Sequence, residues 1–398
     1  MIPAVSTILL YFSGMQEMPK KLHKKLQERE EKGALRMLAS RSKLIDFSSN
    51  DYIGFSSSKV VFNQTHQLLM ERDIHENGAT GSRLLSGNHT LYNETEEILA
   101  NFHNAPSALI FNSGYDANIG FFSSIPQRGD TILYDEFIHA SIRDGIIMSN
   151  AKSYKFKHND FADLEKRITS IRSSSIEGRE IYVVTESVFS MDGDVPDLKA
   201  FSELCAANSC YFVVDEAHAT GVFGKDGAGV IQELKLEEKV FARIHTFGKA
   251  IGCHGAVILG SLALRQYLVN FARSFIYTTG LSPHAIATIQ SSYKELCATT
   301  EIKKLRRIIQ FFNEQLESIG LEKYFIKSDS AIHCCIISGN EKVKTIASKI
   351  YSKGFDVKPI LSPTVPEGKE RLRFCLHSYN TQEEIVEVLQ LLATFVKN

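Results

Sequence analysis

The sequence carries almost no net charge. Lys plus Arg number 45 and Asp plus Glu 46, a formal net charge of −1. The overall basic excess of a protein that lives on a phosphate backbone is therefore absent, and nucleic acid is not an expected partner. Long apolar runs are missing too: no stretch reaches the roughly 18 uninterrupted apolar residues that a membrane helix needs. Residues 4–12 are apolar but short. They lack a basic n-region and a small-residue cleavage site, so a signal peptide is not expected, and Met15 or Met18 could be the natural start. Cysteine is scarce, with seven in 398 residues. No C-x-x-C occurs, and the adjacent Cys334 and Cys335 have poor geometry for an ordinary disulfide. They read as reduced thiols of a cytoplasmic protein, each a small buried hydrophobe. The 13 histidines include no H-E-x-x-H pair and no Cys/His quartet with ligand spacing, so no metal is expected. There is no G-x-x-x-x-G-K-[ST] loop. Asp215-Glu216-Ala217-His218 spells a helicase DEAH box, but it lacks the phosphate loop such an ATPase needs.

Hydrophobic residues make up 43% and charged residues 23%, the balance of an ordinary globular protein. The length suggests two or three domains, or one large core with an appendage. Residues 20–32 are charged, with Leu22 and Leu26 spaced for one face of an exposed amphipathic helix. A short strand over 44–47 follows. Beyond a helix over 91–102, apolar runs at 108–111, 131–134, 181–184, 211–214 and 256–259 alternate with helical patterns. Each run is bounded by Gly, Asp or Ser. That is the pattern of an α/β protein with a buried, mostly parallel sheet wrapped by helices. The character changes at Ser282-Pro283. Helices are expected over 285–298, 302–319 and 343–353, with strands at 334–337 and 371–375. Thr381 and Glu384 form a capping box for a last helix. The expected division is an N-terminal helix and segment over 1–50, a large domain over 51–282 and a smaller α+β domain over 283–398.

In open α/β sheets ligands bind outside the carboxyl ends of the strands. Five polar and varied clusters fall along the chain, four of them directly after an expected strand. They are Asn112-Ser113-Gly114-Tyr115; Asp135-Glu136-Phe137-Ile138-His139; Thr185-Glu186-Ser187-Val188-Phe189-Ser190; Asp215-Glu216-Ala217-His218; and His245-Thr246-Phe247-Gly248-Lys249. One edge would thus collect an imidazole, acids, hydroxyls and an amine. Pyridoxal phosphate (PLP) asks for such a set. It needs a lysine to form an imine, a carboxylate to hold its ring nitrogen protonated, a flat group on the ring face, and hydroxyls or backbone N–H groups for its phosphate. Lys249 is flanked by Phe247, Gly248, Ala250 and Ile251, a setting in which desolvation would lower its pKa. Taken alone, each residue has a plainer reading. Lys249 could be a solvated side chain, His139 a structural histidine, Asp215 a cap and Ser190 a turn former.

The order and surroundings of these groups resemble the α-oxoamine synthases, fold-type I PLP enzymes with an aspartate-aminotransferase-like large domain and a smaller C-terminal one. The likeness is carried by Asn50-Asp51-Tyr52-Ile53-Gly54, by the run from Gly78 to Gly87, by His139-Ala140-Ser141, by the run from Thr185 to Asp194, and by the Asp215 and Lys249 motifs. The resemblance implies that Lys249 forms the imine and moves the substrate α-proton. It implies that Asp215 pairs with the pyridine nitrogen, that His218 reaches the ring oxygen and that His139 stacks on the ring. Gly114 and Tyr115 by their backbone, with Glu186, Ser190 and Thr246, would complete the cofactor site. Thr278 is similar to a residue that reaches the phosphate of the neighbouring subunit in a homodimer. Arg373 would fork the amino-acid carboxylate with help from Asn50, Thr364 would touch substrate, and Arg36 would meet the far end of the acyl chain. The likeness is greatest to the branch serving biotin synthesis, which joins L-alanine to a pimeloyl group on CoA or an acyl-carrier protein. Serine palmitoyltransferase and 2-amino-3-oxobutyrate CoA ligase are the sister alternatives, and a non-catalytic partner subunit of the same fold is the alternative from another class.

Overall fold

The structure is a computed structural model that describes residues 18–31, 35, 38, 43–173 and 178–397. The chain divides between Lys43 and Leu44. The first part contains one described helix, Lys20–Glu31, and none of its residues is buried. Residues 4–12 and Arg36 lie outside the described residues.

The second part begins with a short strand, β1 (Ile45–Asp46). Seven strands follow: β2 (Ser107–Phe111), β3 (Thr131–Asp135), β4 (Lys152–Phe156), β5 (Ile181–Glu186), β6 (Tyr211–Asp215), β7 (Ala242–Thr246) and β8 (Ala256–Gly260). They form one sheet in the order β2-β8-β7-β6-β5-β3-β4. The pairings from β4 to β7 are all parallel, whereas β8 runs antiparallel to both β7 and β2. Strand β2 therefore points the same way as β3, β5, β6 and β7, and the carboxyl ends of these five share one edge. Both faces of the sheet are covered. Tyr182 and Val184 join Phe121 and Ile142 on one side. Their neighbours Ile181 and Val183 join Leu164 and Phe201 on the other. Period-2 alternation with both faces apolar yields the continuous hydrophobic runs seen in the sequence.

Two strands of this sheet were not apparent from the sequence. The edge strand β4, Lys-Ser-Tyr-Lys-Phe, exposes four of its five residues and so offers no apolar run. In β7 the buried Arg243 and His245 interrupt the apolar run. The run at 256–259 is the antiparallel member of a sheet expected to be mostly parallel.

Four more strands, β9 (Ile332–Ile336), β10 (Phe355–Asp356), β11 (Lys358–Ile360) and β12 (Arg371–Cys375), lie in the C-terminal third. Strands β11, β12 and β9 make an antiparallel sheet, and β10 pairs with β1 in parallel. The helix Glu301–Ile319 packs its stripe of Leu305, Ile309, Phe312 and Leu316 into the core. The last helix, Gln382–Val396, starts at the Thr381–Glu384 capping box read from the sequence. Among the described residues no helix is long and apolar enough to cross a membrane.

Candidate active site

At the carboxyl edge of the main sheet, neighbouring strands set their last residues side by side. Glu186 of β5 is in register with Asp215 of β6, and Thr246 of β7 and Phe111 of β2 both pair with Ala256 of β8. The helix Gly114–Ser124 begins where β2 ends, and Ser113 caps it by accepting from the Asp116 N–H. The backbone N–H groups of Gly114 and Tyr115 have no partner among the described residues. Thr246 lies close against Gly114, where an added Cβ would sit 3.4 Å from both the Cβ and Oγ1 of the threonine. A helix N-terminus with two unengaged N–H donors and a neighbouring hydroxyl is a ready anion site.

A chain of hydrogen bonds runs from Lys249 into the C-terminal sheet. Lys249 Nζ is 2.7 Å from His218 Nε2, and His218 Nδ1 is 2.7 Å from the Tyr52 hydroxyl. Tyr52 donates to Asn50 Oδ1 at 3.1 Å. Asn50 Oδ1 also accepts from Arg373 Nη2 at 3.0 Å, and Arg373 Nε donates to the Ser190 carbonyl at 2.7 Å. Burial, with the charges of Lys249 and Arg373, holds His218 far below the usual imidazole range. A neutral imidazole has one N–H. His218 therefore has one N–H to give, between the Lys249 amine and the Tyr52 hydroxyl. Burial also pushes the Lys249 ammonium down to about 8, against the opposing pull of Asp215 and Glu186.

Beside Lys249, Asp215 is buried and accepts only from neutral donors. These are the Ala217 N–H at 2.8 Å and Asn118 Nδ2 at 2.9 Å. Among the described residues no cation stands within ion-pair distance of it. The second Asn118 N–H goes to Ser141 Oγ at 3.0 Å, and Ser141 Oγ lies 2.7 Å from His139 Nδ1. The Ser141 backbone N–H also points at Nδ1, at 3.2 Å. His139 Nδ1 is thus an acceptor and its proton sits on Nε2. Burial lowers the His139 pKa, with Asp215 opposing the shift. The buried Glu186 accepts from the His139 backbone N–H at 2.5 Å. Burial first, and Asp215 next, raise its carboxyl well above the usual range.

Ser190 is carried by the loop after β5, which is pinned from two sides. Arg371 binds the Met191 carbonyl at 2.8 Å and the Asp192 carboxylate. His158 bridges Asp135 Oδ1 at 2.9 Å and Asp194 Oδ2 at 2.8 Å, with its ring between Phe137 and Phe189. Burial opposes the charge on His158, but the two carboxylates prevail and lift its pKa from 6.5 to about 10. The folded value lies above the unfolded one, so this bridge contributes fully below about pH 6.5 and fades as pH rises through about 10. His158→Gln is expected to cost on the order of 3 kcal/mol near neutral pH. Thermal melts across pH 6 to 10.5 should show the gap between wild type and variant closing at the alkaline end. A gap independent of pH would contradict this account.

The edge and the C-terminal sheet thus gather Lys249, Asp215, His218, His139, Glu186, Ser190, Gly114, Tyr115, Thr246, Asn50 and Arg373. Thr278 lies near the same helix start, where its Oγ1 accepts from Asn112 Nδ2 of its own chain at 3.0 Å. Thr364 is exposed on the turn over residues 361–365 and bonds to none of the gathered side chains. Sequence reasoning assigned no role to Tyr52, Asn118 or Ser141. Tyr52 and Ser141 stood inside quoted motifs. Asn118 is a buried polar residue on a helix face that otherwise packs Ala117, Phe121 and Phe122, and it stands three residues beyond the quoted Asn112–Tyr115 motif.

The residues fit PLP. A buried carboxylate without a cation suits a protonated ring nitrogen, two unengaged helix N–H groups suit a phosphate, and a desolvated amine suits an aldehyde.

The comparisons with known proteins agree. A family model described as aminotransferase class I and II matches residues 42–391. A curated 8-amino-7-oxononanoate synthase from Emericella nidulans is 42% identical over 392 residues, covering 94% of this chain and 95% of that protein. Among solved structures, an 8-amino-7-oxononanoate synthase from Francisella tularensis has a TM-score of 0.75 at 29% identity, covering 89% of this chain and 98% of its own. A serine palmitoyltransferase from S. paucimobilis, with a bound adduct of PLP and myriocin, has a TM-score of 0.84 at 25% identity and covers 95% and 97%.

Proposed function

This chain belongs to the aminotransferase class I and II family, and within it to the α-oxoamine synthases, and on that footing we propose the following function. It is a PLP-dependent C-acyltransferase of biotin synthesis. It condenses L-alanine with a pimeloyl thioester, giving 8-amino-7-oxononanoate, CO2 and the free thiol carrier. A bond forms between the alanine α-carbon and the acyl carbonyl carbon, the C–S bond breaks, and the amino-acid carboxylate leaves as CO2.

Bound PLP supplies an aldehyde that condenses with amines and a ring that spreads the electrons left when the α-proton departs. The roles of the chain's own residues follow from their contacts. Lys249, with its lowered pKa, carries the α-proton off the substrate and back. Asp215 keeps a ring nitrogen protonated, and His218 presents a neutral imidazole held by Tyr52. The His139 Nε2–H donates to the oxygen on which charge develops as the thioester is attacked. Two of the Arg373 donors are engaged by Ser190 and Asn50, and the rest of the guanidinium serves the amino-acid carboxylate. Gly114, Tyr115, Ser190 and Thr246 hold the phosphate side. Thr364 and Arg36 are the proposed contacts to the substrate and to the far end of the acyl chain.

The same reading makes the protein a cytoplasmic homodimer that takes its acyl group from CoA or a carrier protein. Exposed apolar side chains support the dimer. Leu85 and Tyr277 sit on loops joined by the Gly280 N–H to Gly81 carbonyl bond, and Thr278 on the second of these is the residue expected to serve a partner. The large domain over 51–282 would bind the cofactor, and the domain over 283–398 the amino-acid carboxylate.

The observation that carries this reading is the buried Lys249, hydrogen-bonded to His218 and within the field of Asp215, in a chain 42% identical to a curated 8-amino-7-oxononanoate synthase. The sphingoid alternative draws on one fact, the higher TM-score of serine palmitoyltransferase. The identity of 42% against 25% favours the biotin branch. A panel of alanine, serine and glycine with pimeloyl, palmitoyl and acetyl thioesters, scored by thiol release, decides between them. Alanine with pimeloyl thioester is expected to be turned over fastest, and preference for serine with palmitoyl-CoA would reverse the choice.

A further inference from the structure

Between the acid at the ring nitrogen and the imidazole at the ring face stands a side chain with no direct part in the chemistry. Asn118 is buried in the helix Gly114–Ser124 and has two amide N–H groups. One goes to Asp215 Oδ2 at 2.9 Å and the other to Ser141 Oγ at 3.0 Å. Ser141, buried at the start of the helix Ala140–Met148, uses its own proton and its backbone N–H on His139 Nδ1. The Asn118 Oδ1 finds no partner among the described residues. An amide that forgoes one acceptor contact in order to place both donors is poorly explained as helix packing, because a buried unsatisfied oxygen is costly.

We propose that Asn118 and Ser141 are positioning residues that couple Asp215 to His139. Asn118 orients the carboxylate towards the ring nitrogen, and Ser141 fixes the His139 proton on Nε2, where it faces the reacting oxygen. The inference rests on the function proposed above and extends it to two residues on separate helices. Directions along the chain are consistent only one way. Asp215 and Ser141 Oγ accept from the amide, the Ser141 hydroxyl donates onward, and Nδ1 takes that proton's hydrogen bond. If the Ser141 hydroxyl turned away, Nδ1 would keep only the longer backbone contact and the two His139 tautomers would compete.

The two links separate in experiment. Asn118→Leu removes both donors at nearly constant volume, and Asn118→Ala serves as a second variant if the first does not fold. Either should weaken PLP binding to the apoprotein about tenfold or more, the scale of one hydrogen bond to a charged group. It should also move the pH midpoint of the holoenzyme's visible band. Both quantities are read by spectrophotometric titration. Ser141→Ala keeps the Asn118–Asp215 bond, so PLP affinity should stay within about twofold, while kcat falls roughly tenfold at unchanged amino-acid KM. A purely structural Asn118 would lower the melting temperature of the apoprotein and leave affinity and band midpoint as in wild type, and that result would overturn the proposal. So would a Ser141→Ala enzyme with wild-type kcat. A wild-type protein that shows no visible band with PLP would defeat the function itself and this inference with it, so the two failures are told apart by the wild-type control.

Discussion

Lys249→Ala is expected to abolish turnover, with loss of roughly 10³-fold or more in thiol release. The size follows from the residue's surroundings. Its amine is held by His218 at 2.7 Å, and burial pushes its pKa down to about 8 although Asp215 and Glu186 pull the other way. An exposed lysine would be almost wholly protonated at neutral pH, whereas this one has an accessible neutral form. Among the gathered side chains it is the only amine, so no neighbour inherits the proton transfer. Two further measurements separate this from misfolding. Wild-type apoprotein should react at Lys249 with an amine reagent at a rate that rises through about pH 8 and then levels. The variant should keep the wild-type melting profile and lose the covalent retention of PLP after borohydride reduction. Substantial turnover by the variant would remove the basis of the proposed function.

Asp215→Asn should lower turnover by roughly 10²–10³-fold, the range found when one preorganised electrostatic group at a reacting centre is lost. The substitution keeps size and removes the negative charge, but the new amide can accept from only one of the Ala217 and Asn118 N–H groups. Asp215 is buried and hydrogen-bonded only to neutral donors, and the cation whose charge it feels is the Lys249 ammonium. Placing a bare carboxylate there is unfavourable without a ligand cation. The holoenzyme should therefore lose affinity for PLP and rate by far more than the one unsatisfied N–H costs the apoprotein in stability. A variant destabilised in the apo form but normal in turnover would show that Asp215 is a structural residue at a strand end. Melting of the apoprotein and turnover of the holoenzyme, measured on one preparation, distinguish the two readings.

The legibility of this protein varied with the kind of signal. Runs such as Ile181-Tyr182-Val183-Val184 were readable because helices cover both faces of the sheet, so every position on the strand is apolar. The Thr381–Glu384 cap was readable because its two hydrogen bonds lie within four residues. Strand β7 was not, since Arg243 and His245 make their hydrogen bonds to partners more than 20 residues away, among them the His103 carbonyl and Thr220. Nor was β4, whose outer edge faces no neighbour. Within the site, residues next to strand ends announced themselves through the alternation of apolar run and polar cluster. Asn118 gave no such sign, because what distinguishes it is a contact with Asp215, 97 positions downstream.

Local order along the chain thus determined which residue types follow each strand, and with them the cofactor class and the edge where it binds. A strand's direction and its last few residues are local properties, settled by side-chain sterics and period-2 burial. Tertiary structure alone decided the antiparallel insertion of β8, the bond network from Lys249 through His218, Tyr52 and Asn50 to Arg373, and the protonation pattern of the two histidines. Those depend on groups brought into hydrogen-bond reach from far along the chain, His218 to Tyr52 across 166 positions and Arg373 to Asn50 across 323, and on the low dielectric that burial creates there. Neither distance nor burial is written in the neighbourhood of any one residue.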